Sequence, residues 1–183
     1  MNKLSVKQKN WLLSSHIIFA TLWTGTVLSM ALIAINNRNT PNGDELHALN
    51  VVINLLDDCV VIPSAIGSLL TGALLSWLTV WGFIKFYWVI VKWVSTLVLI
   101  IFGTFWLYPW ANAATSISDI ERLKAFENPL YMFDSKGVII GTIIQVLYLL
   151  FIIAISVFKP WGRRNIKGQS EGKSESKLVS PTN

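Results

Sequence analysis

The chain has 183 residues, 53% of them hydrophobic and only 14% charged, with nine Trp and a formal net charge of +5. Soluble domains carry roughly 25% charged residues, and a soluble fold of this length cannot hide so much apolar surface, so a membrane domain is indicated. The positive charge gathers in the termini rather than on one patterned face, which suits anionic lipid headgroups and argues against a nucleic-acid partner.

Residues 1–10, M-N-K-L-S-V-K-Q-K-N, are basic and precede an apolar run, as in a signal peptide. That run continues for about 25 residues, beyond a signal core of roughly 7–15, and lacks an A-x-A site. It is therefore expected to be a retained first span, 11–35, ending at the polar turn N-N-R-N-T-P-N-G. A hydrocarbon layer of about 30 Å takes about 20 helical residues. The second span, about 55–81, lies in an apolar stretch too long for one upright crossing, which implies tilt or a helix that starts outside the hydrocarbon. The third, 88–108, is expected to stop at Pro109, and the fourth, 138–158, at Pro160.

Between them, 109–137 reads as an outer loop. Within it, Ser118-x-x-Glu121 has capping-box spacing. Ile117, Ile120, Leu123 and Phe126 form an apolar stripe there, as in a short helix that lies on the outer membrane surface or caps the bundle. The tail, 159–183, is polar and low in complexity, the composition of a disordered segment.

The expected class is an all-α membrane protein, a four-transmembrane-helix bundle, multi-pass in the cell membrane. Lys3, Lys7, Lys9, Lys85, Lys159, Arg163, Arg164 and Lys167 outnumber Arg38, Arg122, Lys124 and Lys136 on the other side. By the positive-inside rule both termini are cytoplasmic. Trp11, Trp81, Trp88 and Trp161 fall at that interface, and Trp106 and Trp110 at the opposite one.

Small residues recur four apart at Thr21, Gly25 and Ser29, at Ser64, Ser68 and Gly72, and at Gly137 and Gly141. Such stripes let helices approach closely and are expected to hold the bundle together. Pro63 removes a backbone donor and is expected to kink the second span, with Thr71 or Ser64 available to the freed carbonyl.

Chemistry rests on the polar residues within the spans. Lys92 is four residues past Trp88, about 6 Å in, and His16 five past Trp11, about 7–8 Å in. The two share a layer, which makes them the candidate catalytic pair. Lys92 can instead snorkel as an anchor, and His16 can simply bond a neighbouring helix. Asp57 and Asp58 enter the second span from the other side, so neither is expected to pair with Lys92, and an interfacial position suits them. His47 lies in the outer connection, more than about 20 Å from His16 along the normal. The two histidines therefore cannot ligate one haem in the same chain.

Cys59, the only cysteine, excludes an internal disulfide and any CxxC motif. Met30, Cys59 and His47 offer copper-type donors without recognisable spacing, so no metal site is assigned. Walker, dinucleotide and HExxH motifs are absent.

The order S-S-H-I-I-F-A-T-L-W-T-G, then P-S-A-I-G-S-L-L-T-G-A-L-L, then W-V-I-V-K-W-V-S-T-L-V-L resembles a family of small integral membrane proteins of unknown function. That family is similar to the membrane domain of CopD copper-resistance proteins and to HemJ-type protoporphyrinogen oxidases. The resemblance covers about residues 11–110. It implies that His16 and Lys92 are functional, with His16 as a ligand of haem b and the pair associated with porphyrin oxidation. One departure is the approach to Pro63, N-L-L-D-D-C-V-V-I-P, acidic where the HemJ-type pattern is basic.

Two functions are carried forward. One is a haem- or porphyrin-associated redox protein. The other is a non-enzymatic accessory or assembly subunit that holds a partner helix or a second copy of itself. A transporter is disfavoured, since neither paired broken helices nor inverted repeats are visible.

Overall fold

The structure is a computed structural model that describes residues 4–79 and 82–161. Lys3, Trp81 and the tail from 162 onward, with Arg163, Arg164 and Lys167, lie outside the described residues. Among the described residues six α-helices follow one another: α1 Val6–Asn37, α2 Gly43–Leu56, α3 Ile62–Leu78, α4 Tyr87–Phe102, α5 Tyr108–Glu121 and α6 Pro129–Phe158. The described residues contain no β-strand.

α1 starts five residues before the expected boundary, because Ser5 and Gln8 close a capping box. Gln8 N–H donates to Ser5 Oγ at 3.3 Å, and Ser5 N–H to Gln8 Oε1 at 3.0 Å. Asn42 caps α2, whose first turn carries Asp44 and Glu45, where the helix dipole favours negative charge. α6 begins with Asn128 as cap and Pro129 in its first turn, and ends in a left-handed Lys159 followed by Pro160, as expected.

The prolines inside the second and third runs do not break them. A π-helical turn, Asp57–Val61, joins α2 to α3 two residues before Pro63, and a second, Gly103–Leu107, joins α4 to α5 two residues before Pro109. Proline's ring collides with the carbonyl four residues back. A widened turn at that point lets the helix pass through. Pro109 therefore does not end the third helix, which corrects the expected stop.

The same geometry corrects the stretch 109–137, which is not an irregular loop. It holds α5, the 3₁₀ turn Arg122–Glu127 and the start of α6. Ser118 does not cap a helix. It is buried near the end of α5, and its Oγ donates to the Thr115 carbonyl at 2.9 Å. Of the apolar stripe, Ile117 and Phe126 pack into a core, while Ile120 is 84% exposed.

Among the described residues four helical runs are thus long and apolar enough to cross a membrane: Val6–Asn37, Gly43–Leu78, Tyr87–Glu127 and Pro129–Phe158, of 32, 36, 41 and 30 residues. Each exceeds the roughly 20 residues a bilayer needs. The start of α1, the end of α3, the start of α4 and the end of α6 share one end, here the terminal end. The connections from α1 to α2 and from α5 to α6 share the distal end. Trp23, Val27 and Met30 of α1 meet Ala65, Leu99, Val146 and Leu149 in the central core, and Leu46, Ala114, Ala125 and Tyr131 form a second core at the distal end.

The small-residue stripes divide. A Cβ at Gly137 would lie 2.8 Å from Trp110, and one at Gly141 would collide with Leu107, so both glycines admit close contacts inside the bundle. Ser64 and Ser68 are buried, whereas Thr21, Gly25 and Ser29 are all exposed, with nothing within 4 Å of a Cβ added at Gly25. That stripe faces outward, contrary to the expected role within the bundle. α1 packs against α3 and α6, and α4 leans on α6 while barely touching α3, which leaves room in the middle of the terminal half.

Candidate functional site

That room is a cavity of about 380 Å³, within the range of small-molecule sites. All four helical runs wall it, and His16 from α1 and Lys92 from α4 both line it. The rest of the lining is largely apolar, with Leu69, Leu75, Leu149 and Ile152 and the three indoles Trp23, Trp88 and Trp93.

The imidazole is held from one side. His16 Nδ1 lies 3.1 Å from the Ser68 carbonyl oxygen and 3.0 Å from Thr71 Oγ1. A carbonyl only accepts, and the Thr71 hydroxyl is 2.6 Å from the Gly67 carbonyl, to which it donates. The hydrogen-bond network therefore assigns the proton to Nδ1, which donates, and leaves Nε2 with its lone pair. Gly72 permits this seat, since a Cβ there would lie only 3.3 Å from His16 Cε1. Imidazole and α3 backbone meet because no side chain stands between them.

His16 Nε2 and Lys92 Nζ have no protein hydrogen-bond partner among the described residues, and neither atom is sealed off by protein. No carboxylate in that set pairs with Lys92 (the ion pairs found all lie at the distal end). Ammonium and unprotonated imidazole nitrogen thus open on one apolar space. Of the hydroxyls around them, Thr24 donates to the Ala20 carbonyl at 2.8 Å and Ser156 to the Ile152 carbonyl at 2.7 Å, while Ser76 accepts from Trp93 Nε1 at 3.3 Å; Ser68 and Thr96 also line the space.

The other candidates lie elsewhere. Asp57 is half-buried and Asp58 exposed on the first π turn, and neither lines the cavity. The acidic approach to Pro63 therefore does not face the space that Lys92 faces. His47, at the distal end, lies 3.5 Å from Asp119, which also meets Arg122 at 3.3 Å, and Arg122 reaches Asp44 at 3.2 Å. Met30 is in the core and Cys59 is exposed, so the copper-type donors do not converge. No three His, Cys, Asp or Glu side chains among the described residues gather as a metal site.

Sequence reasoning missed Ser68, Thr71 and Gly72 as the seat of His16; the small-residue stripe was visible, but not what lay against it. It also missed a buried polar network at the distal end. Asn37 Nδ2 donates to Asn50 Oδ1 at 2.9 Å, and Asn50 Nδ2 to Ser118 Oγ at 3.1 Å and Tyr131 OH at 3.4 Å. Beside it, Asn54 Nδ2 donates to Asn112 Oδ1 at 3.2 Å and Thr115 Oγ1 at 2.9 Å. Asparagines at both flanks of apolar runs were the signal.

Compared with known proteins, the chain matches no family model, no curated protein and no solved structure.

Proposed function

We propose that this chain is a multi-pass cell-membrane protein whose cavity holds a haem or porphyrin for redox chemistry. The observation that carries the reading is the convergence of His16 and Lys92 on one apolar space of about 380 Å³. The donor chemistry of His16 and Lys92 suits haem b. Nε2 of His16 is the nitrogen free to ligate iron. Lys92, without a protein counter-ion among the described residues, is matched in charge to a propionate. The walls are largely apolar. Bound haem would supply one-electron chemistry at its iron, while the chain's own part is to ligate, to neutralise and to shield. Asp57 and Asp58, on the first π turn outside the cavity lining, do not oppose an anionic ligand there.

The test is the optical spectrum of the detergent-extracted protein after haem supplementation. A Soret band is expected in the parent protein, lost in His16→Ala and weakened in Lys92→Met. No band in the parent protein, or one untouched by His16→Ala, rejects the reading. Both termini are taken as cytoplasmic, on the lysine and arginine distribution.

A second reading, an accessory subunit of a membrane complex or a homo-oligomer, is favoured by the outward stripe Thr21, Gly25 and Ser29. Lipid-embedded helices associate through such stripes. It expects Gly25→Leu to abolish recovery of a partner or of a second copy while His16→Ala does not. Gly137 and Gly141 do not discriminate, being used within the chain.

A further inference from the structure

Most of the cavity's lining is buried or half-buried, but three of its residues are also exposed on the protein surface: Ile17 at 52%, Val157 at 70%, and Thr21. All three come from α1 and α6, which are neighbours. The cavity therefore opens sideways between these helices. Trp88, Val89 and Ile155 pack the α4–α6 edge, with Phe86 and Trp93 against them, and Trp93 Nε1 donates to Ser76 across the α3–α4 edge.

Depth decides what lies outside the opening. Val157 is one residue from the end of α6, whereas Thr21 is ten residues past Trp11, about 15 Å along the helix. That is the middle of a layer about 30 Å thick. The slot runs from headgroup level to mid-bilayer and faces acyl chains.

The chemistry inside narrows the occupant. Thr21 donates to the Ile17 carbonyl at 2.9 Å, and the Thr24 and Ser156 hydroxyls are likewise spent on their own helices. Ser68 and Thr96 also bring hydroxyls to the lining, but Lys92 is its one lysine or arginine, about 6 Å below the Trp88 level. This apolar space holds one lysine without a protein counter-ion among the described residues, and an anion beside it would favour its charged form.

We propose that the cavity fills from within the bilayer, through the slot at Ile17, Thr21 and Val157, and takes a membrane-dissolved amphiphile whose acidic group meets Lys92. This rests on the reading of the cavity as a ligand site and adds its route and the solubility class of its occupant.

The full chain is reconstituted in liposomes with a palmitic acid carrying a mid-chain diazirine, irradiated, and mapped by mass spectrometry. The buried wall at Leu75, Ser76 and Ile152 is expected to be labelled in the parent protein. Labelling there should fall at least fivefold in Thr21→Trp and, independently, in Val157→Trp, with no change at lipid-facing Val98 and Leu147. Lys92→Met should lower labelling by the acid at least threefold but leave labelling by a diazirine alkane unchanged.

An unlabelled wall in the parent protein, or parent-level labelling in both tryptophan variants, overturns the route. Equal behaviour of acid and alkane in Lys92→Met overturns the acidic group. Wall labelling without a Soret band rejects haem and keeps the slot; a Soret band with no slot sensitivity does the reverse.

Discussion

At the scale of single residues, the site depends on which imidazole nitrogen carries the proton, and two α3 groups decide that. Ser68 offers only a carbonyl, and Thr71 has given its hydrogen to Gly67. Thr71→Val keeps the shape and removes one of the two acceptors of Nδ1–H. A neutral hydrogen bond of this kind contributes about 0.5–1.5 kcal/mol net. Haem affinity in a titration is therefore expected to fall about threefold to tenfold, with the Soret position retained because the Ser68 carbonyl still fixes the tautomer. Thr71→Ser should restore it. A Thr71→Val protein that titrates like the parent would show that Thr71 plays no part in positioning the ring. His16 and Lys92 were legible in the sequence because charge and imidazole are rare inside apolar runs and depth follows from counting residues. Thr71 and Gly72 were not, since only the docking of α1 on α3 gives them a role.

Among the elements, what was legible and what was not separate along a physical line. Apolar stretches bounded by charge gave four runs long enough to cross a membrane, and Pro160 marks the end of α6 as expected, while its start at Pro129, capped by Asn128, precedes the expected 138. Pro109 was misleading because a proline's effect depends on the turn before it. At both Pro63 and Pro109 a π turn begins six residues upstream and absorbs the clash, so a residue that usually stops a helix lies within a continuous run. The Ser118 capping box failed for a related reason. With α5 already under way, its hydroxyl binds the backbone three residues back and accepts from Asn50 instead of starting a helix. The Thr21–Gly25–Ser29 stripe was visible as a pattern, yet which side of α1 meets α3 and α6 is a tertiary fact. A four-residue spacing records that a close approach is possible, not that the chain makes it with itself.

For the whole molecule, helix length sets what stands outside the bilayer. Measured from Trp88, about 20 residues of α4 and its continuation cross a layer about 30 Å thick. Ser116, 28 residues on, is then about 12 Å beyond the hydrocarbon. The distal core of Leu46, Ala114, Ala125 and Tyr131, and the asparagine network around Asn50, would form a small head outside the membrane. Buried hydrogen-bonded polar groups and the ion pairs of His47, Asp119, Arg122 and Asp44 suit such a wet boundary. If the termini are cytoplasmic, as proposed, this head would lie on the opposite side. In a Cys59→Ser background, exposed Ser116→Cys is expected to react with a membrane-impermeant maleimide in intact cells and to be protected in inverted vesicles. A cysteine placed at exposed Lys7 should behave in the opposite way. If Ser116→Cys is shielded in both preparations, the head is submerged and the depths assigned to His16 and Lys92 shift with it. If the two cysteines exchange behaviour, the orientation is reversed, and the lysine-rich end of the bundle, with the cavity just inside it, faces outward.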